Sequence, residues 1–157
     1  MAEFPPIPED RFYRRATVLY VVDGDTLDAR IDLGWSMTVE ERLRLEFVNT
    51  PETRSAEREA GRFVRDLVRE WLPAGTEILI ASVAFETSGR VRGKFGRTVA
   101  HLFHAAEGWT LNARLLDPAA KLAWETSSQG SLIEERDLTT LTGLPPELRG
   151  LGQPGPA

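Results

Sequence analysis

Cysteine is absent from all 157 residues. That excludes disulfide staples, zinc–thiolate centres and thiol nucleophiles. Histidine is nearly as scarce, with only His101 and His104, too few for a histidine-rich metal centre. Lysine is confined to Lys94 and Lys121 against 17 arginines, an imbalance that suggests a GC-rich coding genome and says nothing of mechanism. No stretch approaches the roughly 20 apolar residues that cross a bilayer, so no membrane partner is expected. Met1 to Asp10 carries neither an apolar run nor a basic start. It reads as a polar, Pro-rich leader rather than a secretory signal, and a cytoplasmic location is expected. An excess of positive charge is also missing. A net charge of −5 argues against a surface that coats nucleic acid throughout. It leaves room for a local site, because Arg90, Arg92, Lys94 and Arg97 follow one another between Ser88 and Thr98 with no acid among them.

What is present is enough for one core: the hydrophobic share is 41%, ordinary for a single globular domain. Residues 1–14 read as a leader, 15–125 as the domain, and 126–157 as a Ser-, Gly- and Pro-rich tail that is partly disordered, above all in its last eight residues. Thr17 to Val22 reads as a strand, followed by an Asp23-Gly24 turn. Leu27, Ala29, Ile31 and Leu33 alternate with polar residues in a second strand. In a third, Leu43, Leu45 and Phe47 share one face and Arg42, Arg44 and Glu46 the other. Ala60, Phe63, Val64, Leu67, Val68 and Trp71 recur at helical spacing, which predicts a helix over 56–71 capped by Ser55. Its arginines at 58, 62, 65 and 69 form a solvated face. Thr76 to Phe85 and Arg97 to Phe103 are further strands joined by a basic loop. A short helix is expected over 111–123, disturbed near Pro118, with another helical piece around 132–138. Five short strands with one helix between the third and fourth fit a small closed Greek-key barrel of the OB type, with helices.

Chemistry-bearing residues gather at two places. Asp23 and Asp25 flank a glycine turn, and two carboxylates so close repel unless a cation sits beside them. Asn49, Thr50 and Glu52 stand at the end of a strand, where the Pro51 turn can aim side chains and a carbonyl at one point. Carboxylate, amide oxygen and carbonyl are hard donors that suit Ca²⁺ or Mg²⁺ and disfavour zinc. Hydrolysis of a phosphodiester also needs a base for water and cations for the developing charge. Glu52 is the free carboxylate at this corner. Arg44 and Arg97 bring planar forks that suit phosphate.

Taken in order, Asp23-Gly24-Asp25-Thr26, then Arg44 to Thr53, then Lys94-Phe95-Gly96-Arg97, the pattern resembles the staphylococcal nuclease (thermonuclease-like) family from about Thr17 to about Trp124. The resemblance implies an OB barrel with flanking helices and a calcium-dependent endonuclease, with Mg²⁺ or Mn²⁺ as alternative ions. It would hydrolyse DNA and RNA, preferring single strands, and leave 3′-phosphate ends. By that likeness Asp25, Asn49 and Thr50 (through its carbonyl) hold the metal, with Asp23 a carboxylate behind them. Glu52 activates water, Arg44 and Arg97 bind phosphate, Lys94 and Phe95 grip a terminal phosphate, and Trp124 lines a base pocket. The chain departs from the family in Asn49, where an aspartate is usual, in Phe95, where a tyrosine is usual, and in the lack of a recognisable long C-terminal helix. The alternative reading is a catalytically weak or inactive OB module that binds nucleic acid or protein. A monomer is expected.

Overall fold

Alternating apolar and polar side chains lay down the strands, and their inward faces set the core. The computed structural model describes residues 11–83, 98–127 and 132–150. In chain order the elements are β1 (Arg11–Asp23), β2 (Thr26–Gly34), β3 (Met37–Leu45), β4 (Val48–Asn49), α1 (Arg58–Trp71), β5 (Glu77–Val83), β6 (Thr98–His104), α2 (Leu111–Leu115) and β7 (Trp124–Glu125). Strands β1, β2, β3, β6 and β5, in that order, close into a barrel. The β3–β6 pairing is parallel and the others are antiparallel. This is a closed five-stranded mixed barrel with two helices among the described residues, OB-like in its closure. No helix among those residues is long and apolar enough to cross a membrane.

Leu27, Ala29 and Ile31 point inward from β2, and Leu43 and Leu45 from β3. Along β1 the inward positions are Ala16, Val18 and then Val21. The change of parity follows from a register shift between Val18 and Tyr20, and a second shift lies between Val21 and Asp23. Such bulges re-aim side chains, and these lie just before the Asp23-to-Thr26 turn. Helix α1 buries Ala60, Gly61, Val64 and Val68. Arg69, expected on a solvated face, instead donates from Nε and Nη2 to Val21 O at 3.1 and 2.9 Å, tying the helix to the bulged end of β1.

Several local expectations are corrected. β1 begins at Arg11, inside the stretch read as a leader, and pairs with β5 from there. β3 stops at Leu45, because Phe47 adopts a left-handed backbone (φ 65°). The alternation is broken there: Phe47 turns outward and Glu46 turns in, its side chain 3% exposed and 3.4 Å from His101. Helix α1 begins at Arg58 with Glu57 as its N-cap residue, and Ser55 Oγ accepts from Glu57 N instead of capping the helix. Helix α2 is capped by Thr110 and ends at Leu115, ahead of Pro118, which disfavours helix in the residue before it. No helix covers 132–137; one-turn 3₁₀ segments lie at Leu138–Thr140 and Pro146–Leu148. The first caps itself through Asp137, whose carboxyl is held below the usual range by the Thr139 hydroxyl and backbone N–H. Leu141 and Leu144, from the stretch read as a tail, are buried members of the core. The last seven residues and the basic loop lie outside the described residues.

Candidate active site

The β1–β2 turn, the end of β3 and the loop after β4 converge on Asp25. Its carboxylate is buried. Oδ1 accepts from Thr26 Oγ1 at 2.8 Å, and Oδ2 accepts from Thr50 N at 2.8 Å. Arg44 Nη1 stands 3.3 Å from the same Oδ2. β2–β3 register explains the meeting: Thr26 is paired with Arg44, so the residue after Asp25 faces the arginine across the ladder. Arg44 is anchored further by Nη1 donating to Val48 O and by Nη2 donating to Asn49 Oδ1 at 3.4 Å. Among the described residues, its Nε–H and second Nη2 hydrogen keep no acceptor. The guanidinium is thus held through both Nη atoms, in a side chain that is 14% exposed.

Asn49, Thr50, Pro51 and Glu52 follow directly. Asn49 is half-buried in β4, paired with Trp124 in β7. Thr50 is buried, and its hydroxyl has no hydrogen-bond partner among the described residues. It packs on Gly24, where a Cβ would lie only 2.9 Å from Thr50 Cγ2 and 2.7 Å from Val64 Cγ1. Asp23 is tied to the same loop by accepting from Thr53 Oγ1 at 2.8 Å. The Glu52 carboxylate is exposed and pairs with no described residue. Its backbone is held, with Glu52 N donating to Glu57 Oε2 at 3.1 Å.

Asp23, Asp25, Arg44, Asn49, Thr50 and Glu52 therefore share one corner of the barrel. Lys94, Phe95 and Arg97 lie outside the described residues, although Thr98, the residue after Arg97, pairs with Leu43 beside Arg44. Trp124 is a correction. It is fully buried, with Nε1 directed at Asp137 O and Thr140 Oγ1 and the Arg136 guanidinium over its ring at 4.7 Å. A ring covered in this way offers no face to a base.

The donors at the corner are all hard oxygens, a set that fits Ca²⁺ or Mg²⁺. They bring little negative charge, because Asp25 already faces Arg44. No group of three or more His, Cys, Asp or Glu able to hold a metal occurs among the described residues.

Gly61 belongs to this corner, and only its place inside an amphipathic helix marks it in the sequence. A Cβ there would sit 2.3 Å from Glu52 O and 2.7 Å from Pro51 O. Glycine in a helix interior costs about 1 kcal/mol relative to alanine, so its presence is explained by this backbone approach. Gly61→Ala is expected to destabilise the protein by about 1–3 kcal/mol despite the gain in helix propensity, read by urea unfolding. A stabilised variant would mean that α1 and the Glu52 peptide do not touch.

No protein-family model matches this chain, and no curated protein matches it.

Proposed function

We propose that the chain is a metal-dependent phosphodiesterase, a nuclease of the staphylococcal nuclease type acting on single-stranded DNA and RNA. The observation that carries this reading is the half-committed Arg44 fork beside buried Asp25, at the corner where Glu52 stands as an exposed and unpaired carboxylate. An OB-like barrel with helices is the frame such a site would use.

In this mechanism the free Nε and Nη2 edge of Arg44 donates to two non-bridging oxygens of the scissile phosphate, where planar bidentate geometry favours arginine. Glu52 takes a proton from the attacking water. Attack is in line with the departing 5′-oxygen, which leaves a 3′-phosphate. Asp25, Asn49 Oδ1 and the Thr50 carbonyl would hold the divalent cation, whose chemistry when bound is to polarise a phosphoryl oxygen. Arg97, Lys94 and Phe95 enter the proposal through the sequence resemblance.

Incubating the protein with a labelled single-stranded oligonucleotide and Ca²⁺, then identifying the new ends, tests this reading. Cleavage to 3′-phosphate ends is expected. Binding without cleavage would favour an OB interaction module, and 3′-hydroxyl ends would refute the assigned leaving group.

The ligand set carries its own expectation. Asn49 is neutral, so protein-only metal affinity is weak and substrate oxygens complete the coordination. Asn49→Asp adds an anionic donor and is expected to bind Ca²⁺ more tightly in a calorimetric titration. Equal or weaker affinity would show that position 49 does not face the metal.

A further inference from the structure

The peptide of Glu52 is held from outside its own loop. Glu57 Oε2 accepts from Glu52 N at 3.1 Å. The same carboxylate receives both arms of Arg136, Nε to Oε1 at 3.1 Å and Nη2 to Oε2. Arg136 is itself oriented, because its guanidinium lies over the Trp124 ring at 4.7 Å. That ring is fully buried, with its N–H directed at Asp137 O and Thr140 Oγ1 at 3.3 and 3.2 Å. Trp124 in turn pairs through its backbone with Asn49. A chain of contacts thus runs from the C-terminal segment to both ends of the Asn49–Glu52 loop.

We propose that Glu57 and Arg136 are positioning residues that fix the orientation of Glu52, an inference that rests on the hydrolase reading above. The physical argument starts from the Glu52 side chain, which is exposed and pairs with no described residue. No described residue sets the direction of its carboxylate, which leaves the backbone as the part of Glu52 that the described residues hold. Gly61 limits the carbonyl side, and the Glu57 carboxylate holds the N–H side. A carboxylate alone at a helix start can swing. Its bidentate pairing with an arginine set over a buried indole removes that freedom. The Glu57 and Arg136 side chains are only 19% and 25% exposed, so solvent screens the pair incompletely. A displacement of about 1 Å in a catalytic group can cost as much as 10²-fold in rate.

Arg136→Met keeps an apolar chain over Trp124 and removes the fork, and Glu57→Ala removes the acceptor. Each is expected to lower kcat by about ten- to a hundredfold, with little change in KM because Arg44 is untouched. Arg136→Lys should recover part of the loss. The Glu52 amide should exchange its hydrogen faster in both variants than in the wild type, a readout independent of turnover. Placed in a Glu52→Gln background, the same substitutions should cost nothing further, because there is no base left to position. An equal loss in that background would overturn the proposal and assign the pair to folding alone. Unchanged Glu52 amide exchange in Glu57→Ala would overturn it as well. Full turnover in Glu52→Gln alone would remove Glu52 as the base and the positioning role with it, even with faster amide exchange, whereas no cleavage by the wild-type protein would bring down the hydrolase reading itself.

Discussion

Glu52→Gln is expected to lower turnover by roughly 10²–10⁴ while leaving the folded protein as stable as before. Two observations separate those effects. The Glu52 carboxylate is exposed and pairs with no described residue, so an isosteric amide strands no buried partner. Its backbone contacts, to Glu57 and against Gly61, survive the substitution. The loss should therefore fall on chemistry. Steady-state kinetics and a thermal melt on the same preparation decide the matter, and wild-type turnover in the variant would remove Glu52 from the mechanism.

Arg44→Lys should be almost as damaging to turnover, by about 10²–10³, even though the charge is kept. Arg44 does two jobs with one planar group. One edge is committed to Val48 O, Asn49 Oδ1 and the Asp25 carboxylate, and the other is the edge proposed to take phosphate. A lysine ammonium can still neutralise Asp25 but cannot also present a second, parallel pair of donors. Stability should fall less than in Arg44→Met, where Asp25 would keep its bonds from Thr26 and Thr50 but lose its buried counter-charge. Comparing kcat and urea midpoints of the two variants separates the roles. Full activity in Arg44→Lys would refute the bidentate clamp. The same expectation holds for Arg97→Lys on the strength of the resemblance.

The sequence shows those parts of the fold that repeat with a fixed period. Leu27, Ala29 and Ile31, or Val64 and Val68, declare their faces because each strand or helix repeats the same geometry. The Asp23-Gly24 turn and the convergence of Asp25 with Arg44 and Thr50 follow from short motifs read in order. What escaped has no period. Phe47 sits at a positive φ, a local turn that reverses the inside and outside of the two residues after β3. Composition marks 126–157 as a tail, yet two leucines within it complete the core, because burial there depends on what the barrel leaves uncovered. The Glu57–Arg136 pair spans 79 residues and has no local trace. Trp124 carried the right residue type for stacking, but its place beneath the C-terminal segment is decided by packing. Gly61 did have a signal, a lone glycine inside a helical pattern, and its meaning lies in the Glu52 carbonyl opposite.

On the proposed reading, this corner hydrolyses phosphodiesters with help from a divalent cation. Turnover of a single-stranded oligonucleotide by the wild-type protein, measured with Ca²⁺ and again after chelation, tests it most directly. Cleavage is expected to be lost on chelation and restored when the ion is returned in excess. Cleavage at the same rate without any divalent ion, or none at any Ca²⁺ concentration, would contradict it.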